Sequence, residues 1–209
     1  MIPAGRFAAA AQPTLTAADG LVLRPWTLDD VPAIMAAYSD PVVQEWQGFR
    51  AEREDEARDM VTRWRDGWPS ESSASWAVCS GSADGEVVGR MSLRDMNLRW
   101  GWAEVAYWTM PSAWGTGVAP RALSAMTEWA FDSGFHRIWL KHSTKNPASC
   151  RVAVKAGFEA EGTQRGGEIH PDGWHDMHVH ARVNALRMAR GCLQLRGGPK
   201  DLASALGRC

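Results

Sequence analysis

Residues Trp108–Arg121 read WTMPSAWGTGVAPR. A strand-forming run ends near Thr109, glycines follow at 115 and 117, and a helix-forming run opens at Val118. A strand that turns tightly into a helix aims unpaired backbone N–H groups, and the positive end of the helix dipole, at one point. That pattern predicts an anion site, with a pyrophosphate as the fitting ligand, although a plain strand-to-helix turn shares the local pattern. A P-loop is excluded because no Lys follows Gly117. The dinucleotide pattern G-x-G-x-x-G starts at Gly115 and Gly117 but meets Pro120 at its third glycine, and the segment lies mid-chain instead of opening a βαβ unit.

The rest of the chain bounds what such a loop serves. The 209 residues suit one domain with a sizeable core. The net charge of −1, with no basic tract, argues against nucleic-acid binding. Cys79, Cys150, Cys192 and Cys209 are scattered without CxxC spacing, so neither a disulfide framework nor a zinc motif is indicated. No run approaches the ~18 apolar residues of a membrane span. The Ala-rich start has a single Arg and no basic-then-apolar leader. Residues 1–18 are therefore read as a disordered arm, 19–184 as the domain and 185–209 as an extension, with a cytoplasmic location expected.

Outward from the loop, hydrophobic periodicity and turn residues give a consistent order. Leu21–Trp26 reads as a strand, and a helix capped by Thr27 runs to Tyr38, where Asp40-Pro41 should break it. Arg53–Trp64 is an amphipathic helix with Ala57, Met60, Val61 and Trp64 on one face. Its acidic start suits a helix N-terminus and reads as a solvated face or, alternatively, a substrate-facing lip. Ser75–Cys79, Glu86–Asp95 and Ala103–Thr109 form an antiparallel meander before the glycine loop. The helix from Val118 to Asp132 ends at Gly134. A strand at Arg137–His142 leads to a helix capped by Asn146 with Pro147 in its first turn and Gly157 at its end. Phe158–Ile169 and Trp174–Val183 pair across Pro171-Asp172-Gly173.

Trp114-Gly115-Thr116-Gly117-Val118-Ala119 resembles the acyl-CoA signature [QR]-x-x-G-x-[GA] of the GNAT acetyltransferases, with Trp114 standing where the family has Gln or Arg. The element order is also the GNAT order over residues 20–184. Ala103–Trp108, His136-Arg137, Asn146–Ala153, Lys155–Phe158, Gly162-Thr163 and Gly173–Asp176 further resemble the RimJ/RimL group. The resemblance implies a single α/β (α+β) domain with a mixed, mostly antiparallel central sheet flanked by helices. It implies acetyl-CoA as co-substrate, and direct attack by an amine in a ternary complex. The acceptor it implies is the N-terminal α-amine of a protein or peptide, with a small-molecule amine as alternative. A non-catalytic acyl-CoA-binding module is the reading from another class, and a homodimer fits family habit.

By the same resemblance, Tyr107, Trp108, Thr109 and Met110 carry the pantetheine arm on a strand that splays from its neighbour. Trp114, Gly115, Thr116, Gly117, Val118 and Ala119 grip the pyrophosphate, and Asn146 contacts the pantetheine. Ser149 sits near the sulfur as acid or stabiliser of the departing thiolate. Glu168, before the hairpin turn, holds the position of the base. Glu104 is its rival, sharing a strand face with Ala106 and Trp108, and it also suits amine recognition. His175 and Asp176 stand as acceptor-side lip residues. Cys150 adjoins Ser149 but points ~100° away on a helix and has no motif-placed activating His, which argues against a ping-pong route. The His-rich run from His170 to His180 suggests a metal. Strand alternation sends His178 and His180 to one face and His175 to the other, and no metal is expected.

Overall fold

Among the residues described in the computed structural model, 1–48 and 50–185, eight strands form one sheet in the order β1-β2-β3-β4-β5-β6-β8-β7. The strands are β1 (Leu15–Thr16), β2 (Val22–Pro25), β3 (Ala74–Cys79), β4 (Val87–Asn97), β5 (Trp102–Thr109), β6 (Arg137–Ser143), β7 (Glu159–His170) and β8 (Gly173–Val183). The helices are α1 (Val31–Ser39), α2 (Pro41–Trp46), α3 (Glu54–Asp66), α4 (Val118–Ser133) and α5 (Pro147–Lys155). Every neighbouring pair of strands is antiparallel except β5 and β6. That parallel step is forced by the connection through α4, because a crossover helix returns the chain in the same direction. The sheet is thus mixed and mostly antiparallel, with helices on both faces.

Two cores follow from the alternation of side chains across the sheet. Leu123 and Met126 of α4 and Ala153 of α5 pack on one face against Leu93, Val105, Ile138 and Leu140. On the other face Val31, Ile34, Ala57, Met60 and Val61 of α1 and α3 pack around Trp26, Ala77 and Trp108. Among the described residues no helix is long and apolar enough to cross a membrane.

One expectation is corrected and one is borne out and extended. Residues 1–18 are packed: Ile2 and Phe7 are buried, and Phe7 lies against Trp68, Trp129 and Phe135 at ring separations of 5.3, 5.8 and 6.1 Å. The Glu71 carboxylate accepts N–H groups of Gly5 and Phe7, each at 2.7 Å, which fixes the segment where its own composition offers little. Asp40-Pro41 ends α1 but also starts α2. The Asp40 side chain accepts from the amides of Val42 and Val43 at 2.9 and 3.1 Å, and Pro41 occupies a first-turn position where its missing N–H costs nothing. The extension is described only at residue 185; the remainder of it, with Cys192 and Cys209, lies outside the described residues.

Candidate active site

The ladder between β5 and β6 is short. Trp102, Ala103 and Glu104 pair with Arg137, Ile138 and Trp139, and beyond Glu104 the two strands part. On its other edge β5 stays paired with β4 as far as Thr109, and the Met110 N–H donates to Val88 at 2.9 Å. Backbone groups alternate sides along a strand, so the N–H groups of Tyr107 and Thr109 face the opening. Their carbonyls are already engaged: Gln47 Nε2 donates to Tyr107 at 3.2 Å, and the Trp114 indole donates to Thr109 at 3.0 Å. An open strand edge presenting donors suits an extended ligand that carries amide carbonyls.

The glycine turn lies at the end of this opening. Gly115 and Gly117 have φ of 76° and 82°, a region that side-chain-bearing residues enter only with strain. A Cβ on Gly115 would meet nothing within 4 Å, so conformation and not space demands glycine there. Arg121 makes the bond back to Gly117 at 3.3 Å, and Pro120 has no N–H. The amides of Val118 and Ala119 therefore open α4 without intrahelical partners. Beside them lies an open cleft of about 710 Å³ walled by Gly117, Arg121, Ser124 and Lys155, together with Thr16 and Ala17 of the N-terminal segment. Free amides, a helix N-terminus and two cations fit a phosphorylated ligand. Thr116 turns its hydroxyl away to the Ala113 carbonyl at 2.7 Å.

Across the opening, the Tyr107 hydroxyl donates to Ser149 Oγ at 2.9 Å. Burial pushes the Tyr107 phenol up to about 12, so it remains a proton donor at neutral pH. Ser149 Oγ accepts that hydrogen bond, which leaves its own hydroxyl proton free to point elsewhere. Asn146 caps α5 through its carbonyl oxygen, which accepts the Ser149 N–H at 3.0 Å.

The face opposite Tyr107 carries the carboxylates. Glu104 lies opposite Arg94 on β4 and opposite Trp139 on β6. It is buried and ion-paired with Arg94. Glu168 is half-exposed, holds Lys141 Nζ at 2.7 Å and lies 3.9 Å from the same Arg94. The two candidate bases thus flank one guanidinium. His175 pairs with Glu168 across the hairpin. Its Nδ1 is 2.7 Å from Ser143 Oγ, and its Nε2 is 2.6 Å from Asp172 and 3.0 Å from Lys145. The Lys145 ammonium, opposed by desolvation and helped by His175, lowers the Asp172 carboxyl to about 2. Trp46 of α2 covers His170 and His175 at ring separations of 5.9 and 6.5 Å. Asp176 is not part of this group; it is exposed and accepts the Gly166 N–H at 2.8 Å. Arg94, Lys141 and Gln47 were not singled out from sequence, since only strand register and the turn after α2 bring them here.

A mixed sheet with a parallel pair that opens over a glycine-led helix defines the acyl-CoA N-acyltransferase fold. The sequence matches the acetyltransferase (GNAT) domain over residues 20–159, and the chain belongs to that family. It is 28% identical over 149 residues to the uncharacterized N-acetyltransferase YoaA of Bacillus subtilis, covering 70% of this chain and 84% of YoaA. It is 31% identical over 99 residues to the ribosomal-protein-serine acetyltransferase of Escherichia coli, covering 47% of this chain and 55% of that protein. Among solved structures, RimL, a ribosomal L7/L12 α-N-protein acetyltransferase in complex with coenzyme A, superposes with a TM-score of 0.74 at 22% identity. That match covers 82% of this chain and 98% of RimL. RimJ of Mycobacterium smegmatis gives 0.73 at 21% identity, covering 84% and 88%.

Proposed function

We propose that this acetyltransferase uses acetyl-CoA to acetylate the N-terminal α-amine of a protein or peptide in the cytoplasm. The observation that carries the reading is the parting of β5 from β6, with free amides on one side and Glu168 and Glu104 on the other. Acetyl-CoA supplies the activated acetyl group. Its pyrophosphate is held by the amides of the Gly115–Ala119 turn, and its pantetheine lies along Tyr107 and Thr109, which contribute N–H donors. One donor there also stabilises the charge that develops on the thioester oxygen.

The acceptor amine enters from the Trp46 side. Glu168 takes a proton from the incoming amine, through water, because only a neutral amine has the lone pair that forms the new C–N bond. As the C–S bond breaks, the Ser149 hydroxyl donates a hydrogen bond to the departing thiolate, which takes its proton from solvent, and Tyr107 holds the Ser149 oxygen from behind. Arg94 and Lys141 hold Glu168 in place, while buried Glu104 completes the acceptor wall. The ribosomal-protein acetyltransferases to which the chain is similar support that acceptor.

The test is thiol release from acetyl-CoA with a panel of peptides and small amines, and mass spectrometry of the products. A gain of one acetyl only on peptides with free N-termini is expected. Glu168→Gln should lower kcat/KM by about 10²-fold or more while CoA affinity is kept. Turnover restricted to small amines would replace the acceptor assignment, and coenzyme binding with no turnover on any amine would refute catalysis altogether.

A further inference from the structure

Four side chains from three elements meet on the α5 face of the sheet. His142 of β6 lies opposite His178 in the β6–β8 register, and His180 is two residues further along the same strand, so all three rings project to one side. Cys150 of α5 descends onto them, its Sγ 3.9 Å from His180 Nε2. One ligand atom from each of the four lies within 4.8 Å of the others. The His142 and His178 rings are 5.4 Å apart and perpendicular, while the His142 and His180 rings are 5.2 Å apart and nearly parallel.

The hydrogen bonding of these rings is incomplete in a specific way. His142 Nδ1 is 2.9 Å from the Ser143 carbonyl, which can only accept, so Nδ1 carries the proton and Nε2 carries the lone pair. That Nε2 is buried and has no hydrogen-bond partner. His142 and His180 are only 6% and 2% exposed. A polar nitrogen left buried and unpaired is destabilising. A bound cation would relieve it.

We infer that His142, Cys150, His178 and His180 form a tetrahedral zinc site that pins the first turn of α5 to β6 and β8. Three imidazoles and a thiolate make a closed set of the structural kind, with Zn–N near ~2.0 Å and Zn–S near ~2.3 Å. The four atoms must draw in by roughly 1 Å from their present spacing, a rotamer-scale change. Binding converts the Cys150 thiol to thiolate, and its proton goes to solvent. The Nδ1–H bond of His142 to a backbone carbonyl is the outer-shell support that such ligands use to fix their tautomer. The site is separate from the carboxylate face and does not touch Glu104 or Glu168. It bears on the chemistry only by fixing the helix that carries Asn146 and Ser149.

The experiment uses the full chain with Cys192→Ser and Cys209→Ser, so that thiols outside the described residues contribute nothing. After chelation and dialysis, Zn²⁺ is titrated against a chromophoric chelator and Co²⁺ is followed by absorption. One tightly bound metal per chain is expected, with an intense tetrahedral Co²⁺ spectrum that includes a thiolate charge-transfer band. Cys150→Ala should remove that band and weaken Zn²⁺ binding at least tenfold, while Cys79→Ser leaves both unchanged. Absence of stoichiometric binding overturns the site, as does an octahedral spectrum without the thiolate band in the unsubstituted cluster. Full binding by a folded Cys150→Ala chain would overturn it too.

Discussion

Replacing Tyr107 with Phe removes one hydroxyl and nothing else, because the ring keeps its place against the core beneath β5. The hydroxyl donates to Ser149 Oγ at 2.9 Å, and Ser149 is only partly buried. One such bond contributes about 0.5–1.5 kcal/mol. If it orients Ser149 toward the leaving sulfur, kcat falls by roughly 2- to 13-fold, and KM for acetyl-CoA barely moves. Steady-state thiol release measures this, and Ser149→Ala with the double variant completes the cycle. Coupling means that the double variant is no slower than Ser149→Ala alone. Stability supplies a second reading. Burial raises the folded phenol to about 12, whereas an unfolded tyrosine ionises near ~10. The raised pKa therefore stabilises the fold in full below pH ~10, and that contribution is lost as pH climbs toward 12. About 1.4 kcal/mol should have vanished from the wild type by pH 11, and none from Tyr107→Phe. Urea unfolding at pH 7 and pH 11 compares them, and Tyr38, present in both, cancels. Fully additive rate effects, or identical alkaline losses, would refute the claim that Tyr107 positions Ser149 from a buried, protonated state.

Phe7→Ala should destabilise the chain by about 3–5 kcal/mol and lower Tm by on the order of 10 °C; a change below about 1 kcal/mol would return the N-terminal segment to the status of a loose arm. Trp114→Arg removes one half-exposed indole bond to Thr109 and adds a cation beside the α4 N-terminus. CoA affinity should stay within about threefold or tighten, and a loss beyond tenfold would show that the indole has a specific role in the grip. The Asp172 carboxyl should titrate near 2 by NMR, so its pairing persists above pH ~4 and fades as pH falls toward 2. Lys145→Met should move that midpoint up toward the ordinary aspartate range; an unmoved midpoint would mean that another partner holds it down.

The strand, turn and helix around Gly115 and Gly117 were legible because glycines at those spacings have few other uses. Helix α3 was legible because its apolar stripe is strictly periodic. The splay of β5 from β6 came only by resemblance, since no local pattern distinguishes three paired residues from seven. Arg94 and Lys141 stayed hidden for a related reason: they reach Glu104 and Glu168 through strand register. Asp40-Pro41 carries both a stop and a start signal, and only the first was read. The arm was misjudged because Ile2 and Phe7 are isolated in an alanine-rich stretch and find their partners far along the chain. The four-residue cluster around His142 draws on two strands and a helix, which no spacing rule within one segment captures.

The packed N-terminal segment has a consequence for how the chain assembles. Phe7 rests on Trp129 and Phe135, more than half the chain away, and Glu71 holds the backbone at Gly5 and Phe7. Contacts that join such distant residues must close a very large loop, and a high proportion of them slows folding. On the ribosome these residues emerge early and yet have nowhere to settle until α4 has been made. Ile2 and Phe7 are made before α4 and yet are among the last to be secured, and the apolar floor formed by Trp68 and Trp129 stays uncovered until they settle on it.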